Sequence, residues 1–368
     1  MSIYKELGVK PIINAAGTYT ALGGSRMSGE TLHAMAEAAN DFVPIRELQQ
    51  HVNEAIAELT HNEAAYVSNG AATGLYLAIA AAIERLYGRK FFYFAKEDIS
   101  SANVVLFKGH RNPYDLVIGY LGAQYRELGF PNLILPSTGE DLEDALNEKT
   151  AAVYYAATGW AAPGALPLEE VICICKRRGV PLIVDAAAQL PPVENLWRYS
   201  QAGVDVTLFS GGKDICGPQA SGLMVGSKAF LDHVAAIGFP NYGIGRMMKV
   251  GREEMVGLYA AIRQYVRMDH EARYRWCEEQ VRSIVDALKD HPRIRAKRSF
   301  PNEAGQPIAR AFVEIIDEDL TPGKLQEHLR ENDPPIYTYT ENQNGIFINP
   351  MSLREGETGI ILRSLAVL

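Results

Sequence analysis

The sequence is poor in cysteine and has no long apolar run. Four cysteines occur in 368 residues, and none has the spacing of a metal site. Cys173 and Cys175 stand two apart on an expected helix, where their side chains diverge. Reduced thiols in a reducing compartment follow, and no metal is called for. The longest apolar stretch, near Leu75 to Ile83, is far shorter than the roughly 20 residues that span a bilayer. Met1–Lys10 lacks the basic start and apolar core of a secretory signal, so a soluble cytoplasmic protein is expected. Positive charge is also scarce. Lys and Arg number 36 against 44 Asp and Glu, a net charge of −8, and the basic residues are dispersed. That excludes a dedicated nucleic-acid surface but leaves room for a local anion site.

What is present is an ordinary globular composition, 47% hydrophobic and 22% charged, with no repeat, linker or low-complexity block. The length exceeds one compact core, so a large domain with a smaller partner is expected. Residues 1–60 read as an extended arm followed by helices at Thr31–Asn40 and Arg46–Thr60. From about Ala64, short apolar strands alternate with amphipathic helices, the pattern of a mainly parallel sheet covered on both faces. Strands are expected at Ala64–Ser68, Lys90–Ala95, Ala151–Ala157, Pro181–Asp185, Val206–Ser210 and Gly222–Val225. Helices are expected at Gly70–Leu86, Asp141–Glu148, Leu168–Arg178 and Leu196–Ala202. The large domain is placed at 61–251. A long helix from Arg252 to Lys289 opens a small α/β domain at 252–368, whose last apolar strand is placed at Gly359–Leu365.

Three segments carry chemistry. In Leu208-Phe209-Ser210-Gly211-Gly212-Lys213, an apolar strand ends in a serine, two glycines allow a tight turn, and a lysine follows where parallel sheets place their active sites. A solvated lysine in a glycine turn is the simpler reading. A phosphate-binding P-loop fails, because Asp214 follows the lysine and the required gap between glycines is missing. Upstream, Pro181-Leu182-Ile183-Val184-Asp185 ends a fully apolar strand on an aspartate, which is costly to bury without a partner. A helix start or a metal could equally be that partner, but pairing with Lys213 favours a protonated pyridine nitrogen. It makes pyridoxal 5′-phosphate (PLP) an electron sink, with Lys213 as its Schiff-base lysine. Ser68-Asn69-Gly70-Ala71-Ala72-Thr73 opens an apolar helix with small residues. The free N–H groups near Gly70, Ala71 and Ala72 form a seat for the cofactor phosphate, to which Ser210 adds a hydroxyl. The order of cradle, aspartate and lysine is that of PLP enzymes of fold type I.

The same residues resemble a known family. Ser210-Gly211-Gly212-Lys213 with Gly217-Pro218-Gln219-Ala220 resembles the lysine segment of selenocysteine synthase (seryl-tRNA selenium transferase), where an acidic residue usually takes the place of Gly212. Ile13-Asn14-Ala15-Ala16-Gly17 is similar to that family's amino-terminal motif, and Arg246-Met247-Met248-Lys249 to its Arg-x-x-Arg stretch. Thr20–Met27 and Lys108-Gly109-His110-Arg111-Asn112 are similar to segments of its shorter ammonia-lyase relatives, typified by D-glucosaminate-6-phosphate ammonia-lyase. The resemblance implies a homodimer or higher homo-oligomer with active sites between subunits and a small amino acid or amino sugar acid as substrate. It also implies an elimination that yields a 2-keto-3-deoxy acid and ammonia. Arg26, Arg246 and Lys249 would grip an anionic end of the substrate, and Arg363 its α-carboxylate. His110 or Arg111 would cover the cofactor ring, and Thr158 or Gln189 would bond its hydroxyl. Other lyase or racemase chemistry, selenium transfer to a charged tRNA, and a relative without turnover are the rival readings. The −8 charge and the absence of a tRNA-holding domain speak against selenium transfer.

Overall fold

The computed structural model of the chain describes residues 3–341 and 343–368. Two compact units emerge. One comprises Met27–Met268, and the other joins Met1–Arg26 to Asp269–Leu368.

The larger unit is built on seven strands in the order Ala64–Ser68, Gly222–Gly226, Val206–Ser210, Leu182–Asp185, Thr150–Ala156, Asn103–Phe107 and Gln124–Leu128. Only Gly222–Gly226 runs antiparallel to its neighbours. Successive side chains take opposite faces, as strand geometry requires. Val105, Phe107, Val153 and Val184 enter one core with helices Ile45–Leu59, Leu168–Arg178 and Arg252–Tyr265. Val104, Leu106, Ala152 and Ile183 enter the other, with helices Ala71–Tyr87 and Lys228–Ile237. With both faces covered, the strands need no polar side, which is why their sequences are continuous apolar runs.

The smaller unit holds a three-stranded antiparallel sheet, with Arg310–Ile315 between Gly345–Ile348 and Ile294–Ser299. Helices His270–Ala287, Pro322–Arg330 and Glu357–Leu365 complete its core. The amino-terminal Ile13-Asn14 pairs in parallel with Ile336-Tyr337.

Four sequence expectations are corrected. Lys90–Ala95 is not a strand. Phe91–Tyr93 forms a single 3-10 turn in which the Phe91 and Phe94 rings meet edge to face at 5.2 Å, so the aromatic run that resembled a strand packs as a cluster instead. The strand that follows is Asn103–Phe107, buried throughout. Gly359–Leu365 is helical. Thr358, Ile361, Ser364 and Leu365 are its buried positions, the spacing of a helix face, and a short apolar run alone does not separate the two periods. The long helix from Arg252 breaks into Arg252–Tyr265 and His270–Ala287, with the Asp269 side chain accepting from Ala272 N at 2.8 Å as a new cap. The units accordingly divide near Met268 rather than at 251, and helices Gly29–Asn40 and Ile45–Leu59 belong to the larger one.

Candidate active site

The register of the larger sheet assembles the site. Ser68 and Ser210 both pair with Gly222, and Leu208 pairs with Asp185. The turn after Ser68, the lysine loop after Ser210, and Asp185 therefore share the carboxyl edge of the parallel strands, where such sheets bind ligands.

The cradle comes first. Helix Ala71–Tyr87 starts from Gly70 at φ 154°, with no side chain capping its first N–H groups. Those groups and the dipole behind them are an anion seat. Gly222 passes directly beneath. A Cβ on it would stand 2.6 Å from Ala71 N and 2.7 Å from Gly70 O, so even alanine must displace the turn. Gly222→Ala is expected to weaken PLP retention at least tenfold and to lower the melting temperature by several degrees. Fluorescence titration of the cofactor and thermal denaturation check both.

Asp185 ends its strand partly buried. Its Oδ1 accepts from Ala187 N at 3.0 Å, and its Oδ2 accepts from the Tyr154 hydroxyl at 3.3 Å. Burial pushes its pKa up, against the pull of the Ala187 N–H, the Lys213 charge and the Tyr154 hydroxyl. A carboxylate in that condition favours a permanent cationic partner. Lys213 itself is half-buried. Its loop is tied down by Gly217 N to Gly211 O at 2.8 Å and Cys216 N to Lys213 O at 3.0 Å. Asp214 is buried and accepts from the Tyr265 hydroxyl at 2.7 Å. A Cβ at Gly212 would press on the Gln219 side chain and lie 2.7 Å from Gln219 Cα, so any side chain before the lysine must displace Gln219.

The two candidates for the ring hydroxyl separate. Thr158 Oγ1 is buried without a partner among the described residues, whereas Gln189 directs its Nε2 to Ala188 O at 3.3 Å. An orphaned hydroxyl beside the Asp185 strand fits a cofactor oxygen. The cradle, the aspartate, the lysine and this hydroxyl together are the donor set PLP requires.

The remaining candidates have the following surroundings. His110 is buried between Phe107 and Tyr155, edge-on to both rings at 5.1 and 4.4 Å. Its Nδ1 accepts from Ala156 N at 3.2 Å, and burial pushes its pKa down to about 4. Arg111 is spent on Asp115, at 2.9 Å, and on Glu127, and its guanidinium lies 4.3 Å above the Tyr125 ring. Its stacking partner is thus a protein ring. Arg26 makes an ordinary ion pair with Glu357 at 3.4 Å and donates to Ser352 O at 2.6 Å, all within the smaller unit. Arg246 and Lys249 are exposed in the larger unit, and neither pairs with an acid among the described residues. The Arg246 guanidinium rests 5.4 Å from the Phe239 ring. Arg363 is on a helix, not a strand, and lines a cleft of the smaller unit with His328, Glu331 and Asp333. Sequence reasoning missed Tyr154 and Asn112. The signal it had was a tyrosine inside an apolar strand neighbouring that of Asp185.

This fold and edge define a fold-type-I PLP enzyme. Residues 18–306 match the family model of class-V aminotransferases, and the chain belongs to that family. It is 31% identical to the D-glucosaminate-6-phosphate ammonia lyase of Salmonella typhimurium, over 99% of this chain and 97% of that protein. A solved structure of D-glucosaminate-6-phosphate ammonia-lyase superposes with a TM-score of 0.82 at 29% identity, covering 100% of this chain and 98% of the other. The 5′-C-glycyluridine monooxygenase-decarboxylase of a Streptomyces species is 29% identical over 98% of this chain and 90% of its own.

Proposed function

We propose that this chain is a PLP-dependent ammonia-lyase that eliminates the β-hydroxyl of an amino sugar acid of the D-glucosaminate 6-phosphate class, giving a 2-keto-3-deoxy acid and ammonia. The observation that carries the reading is the end-to-end similarity to D-glucosaminate-6-phosphate ammonia lyase in both sequence and fold. When bound, the cofactor supplies a conjugated ring into which the electrons of the α-carbon spread.

This chain's own residues do the rest. The N–H groups from Gly70 to Ala72, with Ser210, would hold the phosphate. Asp185 would keep a proton on the ring nitrogen, and the Thr158 hydroxyl would donate to the ring oxygen. The Lys213 amine would serve as the general base for the α-proton. Arg246 and Lys249, exposed without acidic partners, offer charge to the anionic end of the substrate. Arg26 is engaged with Glu357 instead. A homo-oligomer acting in the cytoplasm completes the reading. Among the described residues no helix is long and apolar enough to cross a membrane.

Ammonia release from D-glucosaminate 6-phosphate, D-glucosaminate and D-serine, run in parallel on PLP-loaded protein, tests the proposal. Turnover of a sugar acid is the expected result. A loaded enzyme that releases ammonia from none of them would sink the substrate class, and racemisation would be assayed next.

A further inference from the structure

The segment Lys108–Asn112 has a use that its rings do not reveal. Tyr154 is fully buried in Thr150–Ala156, the strand beside that of Asp185. Its hydroxyl donates to Asp185 Oδ2 at 3.3 Å and accepts from Asn112 Nδ2 at 2.9 Å. A phenol has one proton to give. Because Asn112 serves the oxygen as donor, that proton is committed to Asp185.

Asn112 is itself fixed on every side. Its Nδ2 also donates to His110 O at 3.0 Å, its Oδ1 accepts from Tyr114 N at 2.8 Å, and its backbone N donates to Asp115 Oδ2 at 2.7 Å. Asp115 is wholly buried and takes Arg111 Nε on the same oxygen at 2.9 Å. Arg111 in turn reaches Glu127 and the Tyr125 ring. The donors from Asn112 through Tyr154 run one way, from the loop toward the carboxylate at the sheet edge.

We propose that Tyr154, oriented by Asn112, is the positioning residue for Asp185, fixing the carboxylate's rotamer and restraining it from drawing the proton off the cofactor ring. The proposal rests on the PLP reading. A hydrogen bond donated to a carboxylate lowers its basicity. Without the Tyr154 hydroxyl, Asp185 pulls the shared proton toward itself, the ring loses positive charge, and the amine bound to the cofactor holds its own proton to higher pH.

The test is the pH midpoint of the visible absorbance band of PLP-loaded protein, measured for wild type, Tyr154→Phe, Asp185→Asn and the double variant. Tyr154→Phe is expected to raise the midpoint by about half to one pH unit, the scale of one hydrogen bond to a charged group. In the Asp185→Asn background the same substitution should add nothing. Asn112→Ala should move the midpoint the same way by less, and it carries the comparison if Tyr154→Phe does not fold. An unmoved midpoint, or an equal shift in both backgrounds, overturns the proposal. A wild-type protein that develops no visible band overturns the cofactor reading instead.

Discussion

Lys213→Ala is expected to lose the visible band of lysine-bound cofactor and at least ~10⁴-fold in kcat, since it removes the covalent anchor and the general base together. No other amine can take over. The loop is pinned by the Gly217 N to Gly211 O hydrogen bond and by the Asp214–Tyr265 contact, so a neighbouring side chain cannot slide into the position. Those same contacts do not involve the lysine side chain, and the variant should still fold with its loop in place. The cradle is also untouched, so PLP should still bind, without the covalent signature. Absorbance spectra, single-turnover kinetics and thermal denaturation on one preparation separate these effects. Loss of folding with loss of activity would mean that the lysine is structural.

Asp185→Asn should lose roughly 10²–10³-fold in kcat, the scale seen when one preorganised electrostatic partner is removed from an active site. The amide is nearly the same shape and can still accept from Ala187 N, but it cannot keep a proton on a pyridine nitrogen. The cofactor-free protein should respond in the opposite direction. Burial raises the pKa of Asp185 in the folded chain. Between the ordinary carboxylate range and that raised value, the unfolded chain has released a proton that the folded chain retains. Stability therefore falls as pH rises through this window, and at neutral pH the carboxylate is a net cost. Asparagine removes the cost. The apo variant should melt a few degrees higher than apo wild type at neutral pH and show a flatter dependence between acid and neutral pH. An apo variant that melts lower would show that Asp185 serves the fold rather than the cofactor.

The three chemical segments stand out in the sequence because each is a backbone event written in residue type. A strand end followed by glycines, a lone aspartate closing an apolar strand, and small residues opening a helix each have few physical causes. The parallel core was legible for the same reason, since strands buried on both faces cannot alternate. Where the reading failed, periodicity was too short or long-range packing prevailed. The aromatic residues Phe91 and Phe94 pack on one another rather than extending a strand, and seven residues from Gly359 do not distinguish period two from period 3.6. The Tyr154–Asn112 contact joins residues 42 apart in the chain, and nothing local announces it. Arg111, a candidate ring cover by its planar guanidinium, is held by Asp115, Glu127 and Tyr125. Sequence supplies the charges, and only the fold shows which are already paired.

Borohydride reduction of the PLP-loaded protein, followed by peptide mapping, tests the central claim most directly. Reduction should bleach the visible band and fix the pyridoxyl group on the peptide carrying Lys213, with the label absent from Lys213→Ala. A label on another lysine, or a band that reduction leaves unchanged, would contradict the assignment on which the whole account of the site depends.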